Sequence, residues 1–280
     1  MKHTLTMLLG LAVLSGAFLW NGCAKKTTAV QPDIAVANSY LSAAVNDLCG
    51  DQQPVFDLVP PGMCPGHFDI SPSQVNALCH CKMLFVFDFQ QNIEKTIPRI
   101  KERGLKVYSI TPSAGMCIPE TYLSVVKQVA DALSQQQPEQ KTHYESRIKE
   151  IEKRLAVLSQ TIADRIKQSG LQKTTVMTSG HQAEFATWLG LDCVTTFAGR
   201  DTITPAQIDA SLQEARQHPI QLVIANQQEG TGMAKTLAGH LNVKHVVFSN
   251  FPNDGGENAA TAGFDRLLTD NIDRLIEAMQ

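Results

Sequence analysis

The 280-residue chain has no surplus of charge of one sign: 24 Lys and Arg face 27 Asp and Glu, a net charge of −3. So even a balance points to neither a nucleic acid nor an anionic membrane surface as partner. The apolar run at residues 7–20 is too short for a stable bilayer-spanning helix. A complete phosphate-binding loop is also missing, because Gly230-Thr231-Gly232 lacks the lysine and the full glycine spacing. Cysteines and histidines are present, but no acidic residue holds a motif position to orient them as a nucleophilic pair. That argues against an enzyme. What remains, with 43% hydrophobic and 18% charged residues, is an ordinary globular composition. It suits one large domain or two of about 130 residues.

The N-terminus reads as a processing signal. Lys2 and His3 precede the apolar run, and Cys23-Ala24-Lys25-Lys26 follows it. A cysteine there, followed by a polar tether, fits a bacterial lipobox in which Cys23 is acylated and becomes the new N-terminus. Trp20-Asn21-Gly22 stands where a small aliphatic triplet is usual. A soluble secreted product and an uncleaved anchor are the alternatives. Residues 1–23 are thus a signal peptide, 24–32 a tether, and the product is exported, to the periplasm or the outer face of a membrane. In an oxidising compartment paired cysteines default to disulfides. Cys49 with Cys79 or Cys81 is the expected pair.

Hydrophobic patterning divides the rest into three parts. Residues 33–138 alternate strand and helix, with strands at 33–37, 55–59, 83–87 and 106–110. Met83-Leu84-Phe85-Val86-Phe87 reads as a strand buried on both faces. Helices are expected at 40–48, 71–78 and 93–103, the last kinked at Pro98. Residues 139–170 form one long helix with Ile148, Ile151, Leu155, Leu158, Ile162 and Ile166 on a single face. A dimeric coiled coil is the rival for that segment; an intramolecular strut in a monomer is preferred. Residues 171–280 return to alternation, with strands at 174–178, 192–197, 220–225 and 244–249 and a closing helix at 259–279. The fold class is α/β: two Rossmann-like lobes with parallel sheets, joined by a rigid helix, with a ligand cleft at the strand ends between them.

Chemistry gathers in the loops after the strands. Gly62-Met63-Cys64-Pro65-Gly66-His67 follows the second, Gly115-Met116-Cys117 the fourth, and Ser179-Gly180-His181 the first strand of the second lobe. Two thiolates and two imidazoles, Cys64, His67, Cys117 and His181, would complete a tetrahedral site for zinc or a softer metal. Met116, Glu184 and Glu229 are auxiliary candidates, Met116 more as packing than as ligand. A Cys64–Cys117 disulfide is the competing outcome. Cys193, inside a strand, reads as a buried filler.

The stretches Asn38-Ser39-Tyr40-Leu41, Leu58-Val59-Pro60-Pro61-Gly62 and Phe68-Asp69-Ile70-Ser71-Pro72-Ser73 resemble the substrate-binding lipoproteins of bacterial zinc/manganese ABC importers. Weaker matches are Ala183-Glu184-Phe185, Leu189-Gly190-Leu191 and the strut. The resemblance implies two α/β lobes on a connecting helix, one metal ligand from each of four loops, and an ABC permease with its ATPase as partners. His67 falls on the first ligand loop. Met116 and Cys117 stand where a second histidine is usual, and His181 is the donor in the third loop. The fourth, usually acidic, position falls near Ser249 or Asn250, and the His-rich loop of zinc members is absent. The expected function is extracytoplasmic binding of a transition metal, zinc before copper or manganese, and delivery to the permease. Two alternatives stand beside it. One is a receptor of the same architecture for a corrinoid, haem or siderophore; the other is a surface adhesin with a vestigial site.

Overall fold

The computed structural model describes residues 31–50, 53–59, 70–90, 93, 97–102, 104–199, 204–252 and 263–280. Cys23, Met63, Cys64 and His67 lie outside the described residues.

The first lobe holds strands β1 (Ile34–Val36), β2 (Val55–Asp57), β3 (Met83–Phe87) and β4 (Lys106–Ile110). They pair in parallel in the order β2-β1-β3-β4. The second lobe repeats the plan with β5 (Thr175–Ser179), β6 (Asp192–Phe197), β7 (Leu222–Asn226) and β8 (Lys244–Phe248), in the order β6-β5-β7-β8. In each sheet the chain reverses its direction of winding beside the first strand, so the switch points lie between β1 and β3 and between β5 and β7. Ligands of open parallel sheets collect outside the carboxyl ends of the strands at such points.

Local chemistry explains most helix boundaries. Helix α1 (Ser39–Cys49) is capped by Asn38, whose side chain accepts from the amides of Tyr40 and Leu41. Helix α2 (Pro72–Leu78) has a full capping box of Ser71 and Gln74 with proline in its first turn. Pro98 opens helix α3 (Pro98–Lys101) rather than kinking a longer one, since its fixed φ and missing N–H suit a first turn. Helix α4 (Pro119–Gln136) leads through a short turn into the long helix α5 (Lys141–Gln168). The second lobe adds α6 (Ala183–Trp188), α7 (Pro205–Ala215), α8 (Gly232–Leu241) and α9 (Phe264–Met279).

Helix α5 spans about 42 Å at 1.5 Å per residue. Tyr144, Ile151, Leu155, Ile162 and Ile166 are buried, and Ile148 and Leu158 pack partly against the same core. Its partners are α1, α4 and α9 of the same chain. The apolar stripe is therefore consumed intramolecularly, as a strut rather than a coiled-coil seam. One hydrophobic core runs from both faces of the first sheet, past the strut, to the inner face of the second sheet, where Val176, Ile224 and Phe248 point. Met177, Val223 and Ala225, alternating with these, face outward under α7 and α8 in a separate cluster.

Two features tie the lobes to the strut. Arg154 of α5 grips Asp47 of α1 through two bonds of 2.7 and 2.6 Å, and its Nε lies 3.2 Å from Asp265 of α9. Tyr122 donates to the same Asp47 carboxylate at 2.7 Å. Above this network Tyr122 stacks on Phe264 with centroids 4.1 Å apart, and Tyr40 meets Phe87, Tyr122, Phe251 and Phe264 edge-on. The C-terminal helix, expected to serve only the second lobe, thus also reaches the first.

Cys49 is a free thiol, so neither expected disulfide with Cys79 or Cys81 is formed. Cys49 ends α1 beside Tyr144, whereas Cys81 donates to the carbonyls of Pro32 and Ala77. Cys193 is half-buried rather than buried, its sulfur 3.4 Å from Thr178 Oγ1. Among the described residues no helix is long and apolar enough to cross a membrane.

Replacing Arg154 with leucine leaves Asp47 facing Tyr122 alone and removes a bidentate, charge-assisted contact. Such contacts are worth about 1.5–3 kcal/mol. The lower end is expected because the Arg154 side chain is 38% exposed. The urea midpoint at pH 7 should fall accordingly, with the m-value unchanged.

Candidate functional site

The carboxyl ends of β5 and β7 carry the chemistry of the second lobe. Each strand runs into a single turn of 3-10 helix, Gly180–Gln182 after β5 and Gln227–Glu229 after β7. The second turn is closed by Gly230 at φ 87°, a left-handed position that glycine occupies without strain. These tight turns place His181 and Glu229 side by side at the switch point, with Nδ1 of His181 2.7 Å from Glu229 Oε1. The other carboxylate oxygen, Oε2, accepts a short hydrogen bond from Ser179. Gly199, just beyond β6, packs on Glu229 so closely that a Cβ there would fall 2.8 Å from Glu229 Cβ.

The pair has opposed titrations. The hydrogen bond to Glu229 raises the His181 pKa above its ordinary value, burial opposes, and the carboxylate charge adds to the rise. Burial alone would push Glu229 up. The hydrogen bonds from His181 and Ser179, with the imidazolium charge and Asn226, outweigh it and hold the carboxyl below its usual range. The His181 side chain is 67% exposed, so its ring edge is open to a ligand while its Nδ1 side is committed. Among the described residues no hydrogen bond reaches Nε2.

Cys117 occupies a different setting. It is fully buried just ahead of α4, and its Sγ donates to the Ser249 carbonyl at 3.0 Å. Asn271 of α9, also fully buried, donates to that carbonyl at 2.9 Å and to the sulfur at 3.4 Å, and accepts from the Ser249 amide at 2.9 Å. Burial drives the thiol pKa far up, against a smaller lowering by Asn271. In this state Cys117 is a hydrogen-bond donor rather than a thiolate. Asn250 sits 3.7 Å from the sulfur, and its Oδ1 accepts from Gln182 at 2.9 Å. Gln228 bonds both Ser249 Oγ and the Asn250 amide, each at 3.0 Å. A buried floor of amides therefore runs from Cys117 in the first lobe to Gln182, the neighbour of His181, in the second. Ser39 Oγ adds a further crossing, donating to Pro252 O at 2.6 Å.

Of the expected donors, the structure describes only Cys117 and His181, and it places them at opposite ends of this floor. Met116 offers its carbonyl to Tyr40 at 2.9 Å, and its side chain packs against the core. Glu184 is exposed on α6, its Cβ 3.2 Å from where a Cβ on Gly115 would stand, so it faces the Met116–Cys117 loop across the cleft. Among the described residues no cluster of three or more histidine, cysteine or acidic side chains could hold a metal. Sequence reasoning missed the roles of Gln182, Gln228 and Asn271. Asn271 does leave a signal: it interrupts the apolar stripe Leu267, Leu268, Ile272, Leu275 of α9.

Two parallel α/β lobes on a rigid helix, with polar loops converging at the strand ends, define a solute-binding protein of the strut-linked type. Residues 117–278 match the family described as zinc-uptake complex component A, periplasmic (ZnuA), and the chain belongs to that family. It is accordingly a solute-binding protein and not an enzyme. Solved structures agree in fold. A crystal structure of ZnuA superposes with a TM-score of 0.70 at 16% identity, covering 89% of this chain and 99% of that one. Manganese-bound and cadmium-bound forms of a periplasmic metal-binding protein from Candidatus Liberibacter asiaticus each superpose with a TM-score of 0.73 at 14% identity, covering 88% of this chain and 99% of theirs. Sequence comparison with curated proteins gives no significant match.

Two outcomes follow from the geometry. Asn271→Ala strands the buried Ser249 amide, and such a loss costs about 1–3 kcal/mol, read as a lower denaturation midpoint. The stabilisation from the His181–Glu229 pair depends on pH in two directions. Because the His181 pKa is raised, it is fully present below the unfolded value of 6.5 and fades as pH rises through the folded pKa. Because the Glu229 pKa is lowered, it is fully present above the unfolded value of 4.5 and fades as pH falls through the folded pKa. The stability gap between the parent and His181→Ala should therefore be widest between those two values, measured by thermal melts across pH 3–9.

Proposed function

We propose that the chain captures a transition-metal ion between its lobes outside the cytoplasm and passes it to an ABC permease and its ATPase. The observation that carries this reading is His181. It stands at the switch point of the second sheet with one ring nitrogen occupied by a carboxylate and its other edge exposed. Family membership supports the same reading. The remaining donors we assign are Cys64 and His67, which follow β2 in the sequence and lie outside the described residues. A donor set of imidazoles and a thiolate favours zinc, with copper or manganese behind it. The buried Oε1 of Gln182, which has no hydrogen-bond partner among the described residues, is an acceptor beside His181 that a hydrated cation would satisfy.

Cys117 is the conditional fourth donor. It enters the shell only by giving up its proton and its bond to the Ser249 carbonyl, both of which metal binding would have to drive against burial. Cys23 would carry a lipid anchor, and the mature domain would be residues 33–138 and 171–280 around the strut of 139–170. Capture would be ligand exchange with modest lobe motion, because the floor of amides and the Arg154 network already join the lobes.

Elemental mass spectrometry on the purified full chain tests the proposal, with the variants Cys64→Ser/His67→Ala, Cys117→Ser and His181→Ala alongside. One equivalent of zinc in the parent is expected. Loss of a ligand should weaken binding by more than the roughly 10–100-fold typical of an outer-shell partner. Cys117→Ser decides whether that thiol is a ligand or part of the floor. A parent that takes up no metal after reconstitution refutes the reading and turns attention to larger cargo such as a metal complex.

A further inference from the structure

We infer that Glu229 is the positioning residue of the metal site: it holds His181 in the Nδ1–H tautomer and so makes Nε2 the donor atom presented to the cleft. The inference rests on the functional reading above but is drawn from a different set of contacts. A neutral imidazole has one protonated nitrogen, and a carboxylate is an acceptor only. With Glu229 Oε1 2.7 Å from Nδ1, the proton of the neutral ring belongs on Nδ1, and the lone pair is left on Nε2. A carboxylate behind a metal-binding histidine fixes the ring and raises its basicity.

Glu229 is itself built in place. Its second oxygen is taken by Ser179, the buried last residue of β5. Its stem is pressed by the backbone of Gly199, where an added Cβ would lie 2.8 Å from Glu229 Cβ, 2.9 Å from Oε1 and 3.0 Å from Cδ. Three consecutive elements, the turns after β5 and β7 and the segment after β6, thus converge on one carboxylate. Each of its oxygens already accepts a hydrogen bond, so a direct metal contact would compete with His181 and Ser179. The position after the last strand that the resemblance gives to an acidic ligand falls near Ser249 or Asn250, and the Asn250 Oδ1 accepts from Gln182.

The test is the tautomer of His181 in the ¹⁵N-labelled full chain, read by two-bond ¹H–¹⁵N correlation at a pH where the ring is neutral. Zinc titrations of the same samples run in parallel. Three variants are compared with the parent: Glu229→Leu removes the acceptor, Glu229→Asp keeps the charge but shortens its reach, and Gly199→Ala pushes the carboxylate away without removing a polar group. The parent is expected to show Nδ1–H, and all three variants a shift toward Nε2–H. Zinc affinity should fall by about 10–100-fold in Glu229→Leu at unchanged stoichiometry. An Nε2–H ring in the parent, or an unchanged tautomer in Glu229→Leu, overturns the inference. So does loss of an oxygen neighbour from the zinc absorption spectrum of Glu229→Leu, which would make Glu229 a ligand. A parent that takes up no zinc refutes the metal reading and the donor role with it. The tautomer spectrum still decides separately whether Glu229 holds the ring.

Discussion

Arg154 is the contact on which the arrangement of the lobes rests. One guanidinium, midway along a 28-residue helix, meets a carboxylate from the first lobe and another from the C-terminal helix of the second. Its planar fork matches Asp47 in two bonds at once, which an ammonium could not do. Tyr122 completes the acceptor, and its ring stacks on Phe264 directly above. A polar clamp and an aromatic stack at the same level of the strut keep the two sheets from turning independently. A loop hinge between lobes would give a large opening motion. A packed helix held at its middle gives a stiff frame with small adjustments.

That stiffness decides what the cleft can do. Both sheets are parallel and wound in the same order, and contacts from Cys117 to Ser249 and from Ser39 to Pro252 join the loops of the first lobe to the segment after the last strand of the second. The floor of this space is made of the buried amides Gln182, Asn250 and Asn271 and the half-buried Gln228, which bond one another or residues 249–250, with Gln182 Oε1 left unpaired among the described residues. Such a network is stable only when nearly every member has a partner, because an orphaned polar group in a low-dielectric interior is costly. Charge lies beside the floor, on Glu229 and on the exposed ring of His181 that pairs with it.

Cys117 shows how much of a residue's setting lies outside its own stretch of sequence. From sequence, a thiol in the loop that usually bears a histidine reads as a soft ligand. In the fold the sulfur is fully buried and donates to the Ser249 carbonyl, a setting any ligand role would have to displace. Glu229 moved the other way, from an auxiliary oxygen to the group around which His181, Ser179 and Gly199 are arranged. Spacing along the chain cannot reveal this, because Glu229 follows β7 whereas its partners come from the ends of β5 and β6.

Periodicity and punctuation were enough to determine the α/β alternation, the strut and most strand positions. A buried parallel strand such as Met83–Phe87 and a one-faced helix such as α5 encode their environment in local pattern. The start of α2, a serine cap followed by proline in the first turn, was equally legible because a cap is satisfied within one turn. Tertiary structure alone decided the rest. Cys49 remained a thiol, Phe264 crossed to the first lobe, and the amides of four distant segments met under the cleft. Those outcomes depend on which strand ends become neighbours. Sheet order sets that adjacency through long-range pairing, and local pattern carries no trace of it.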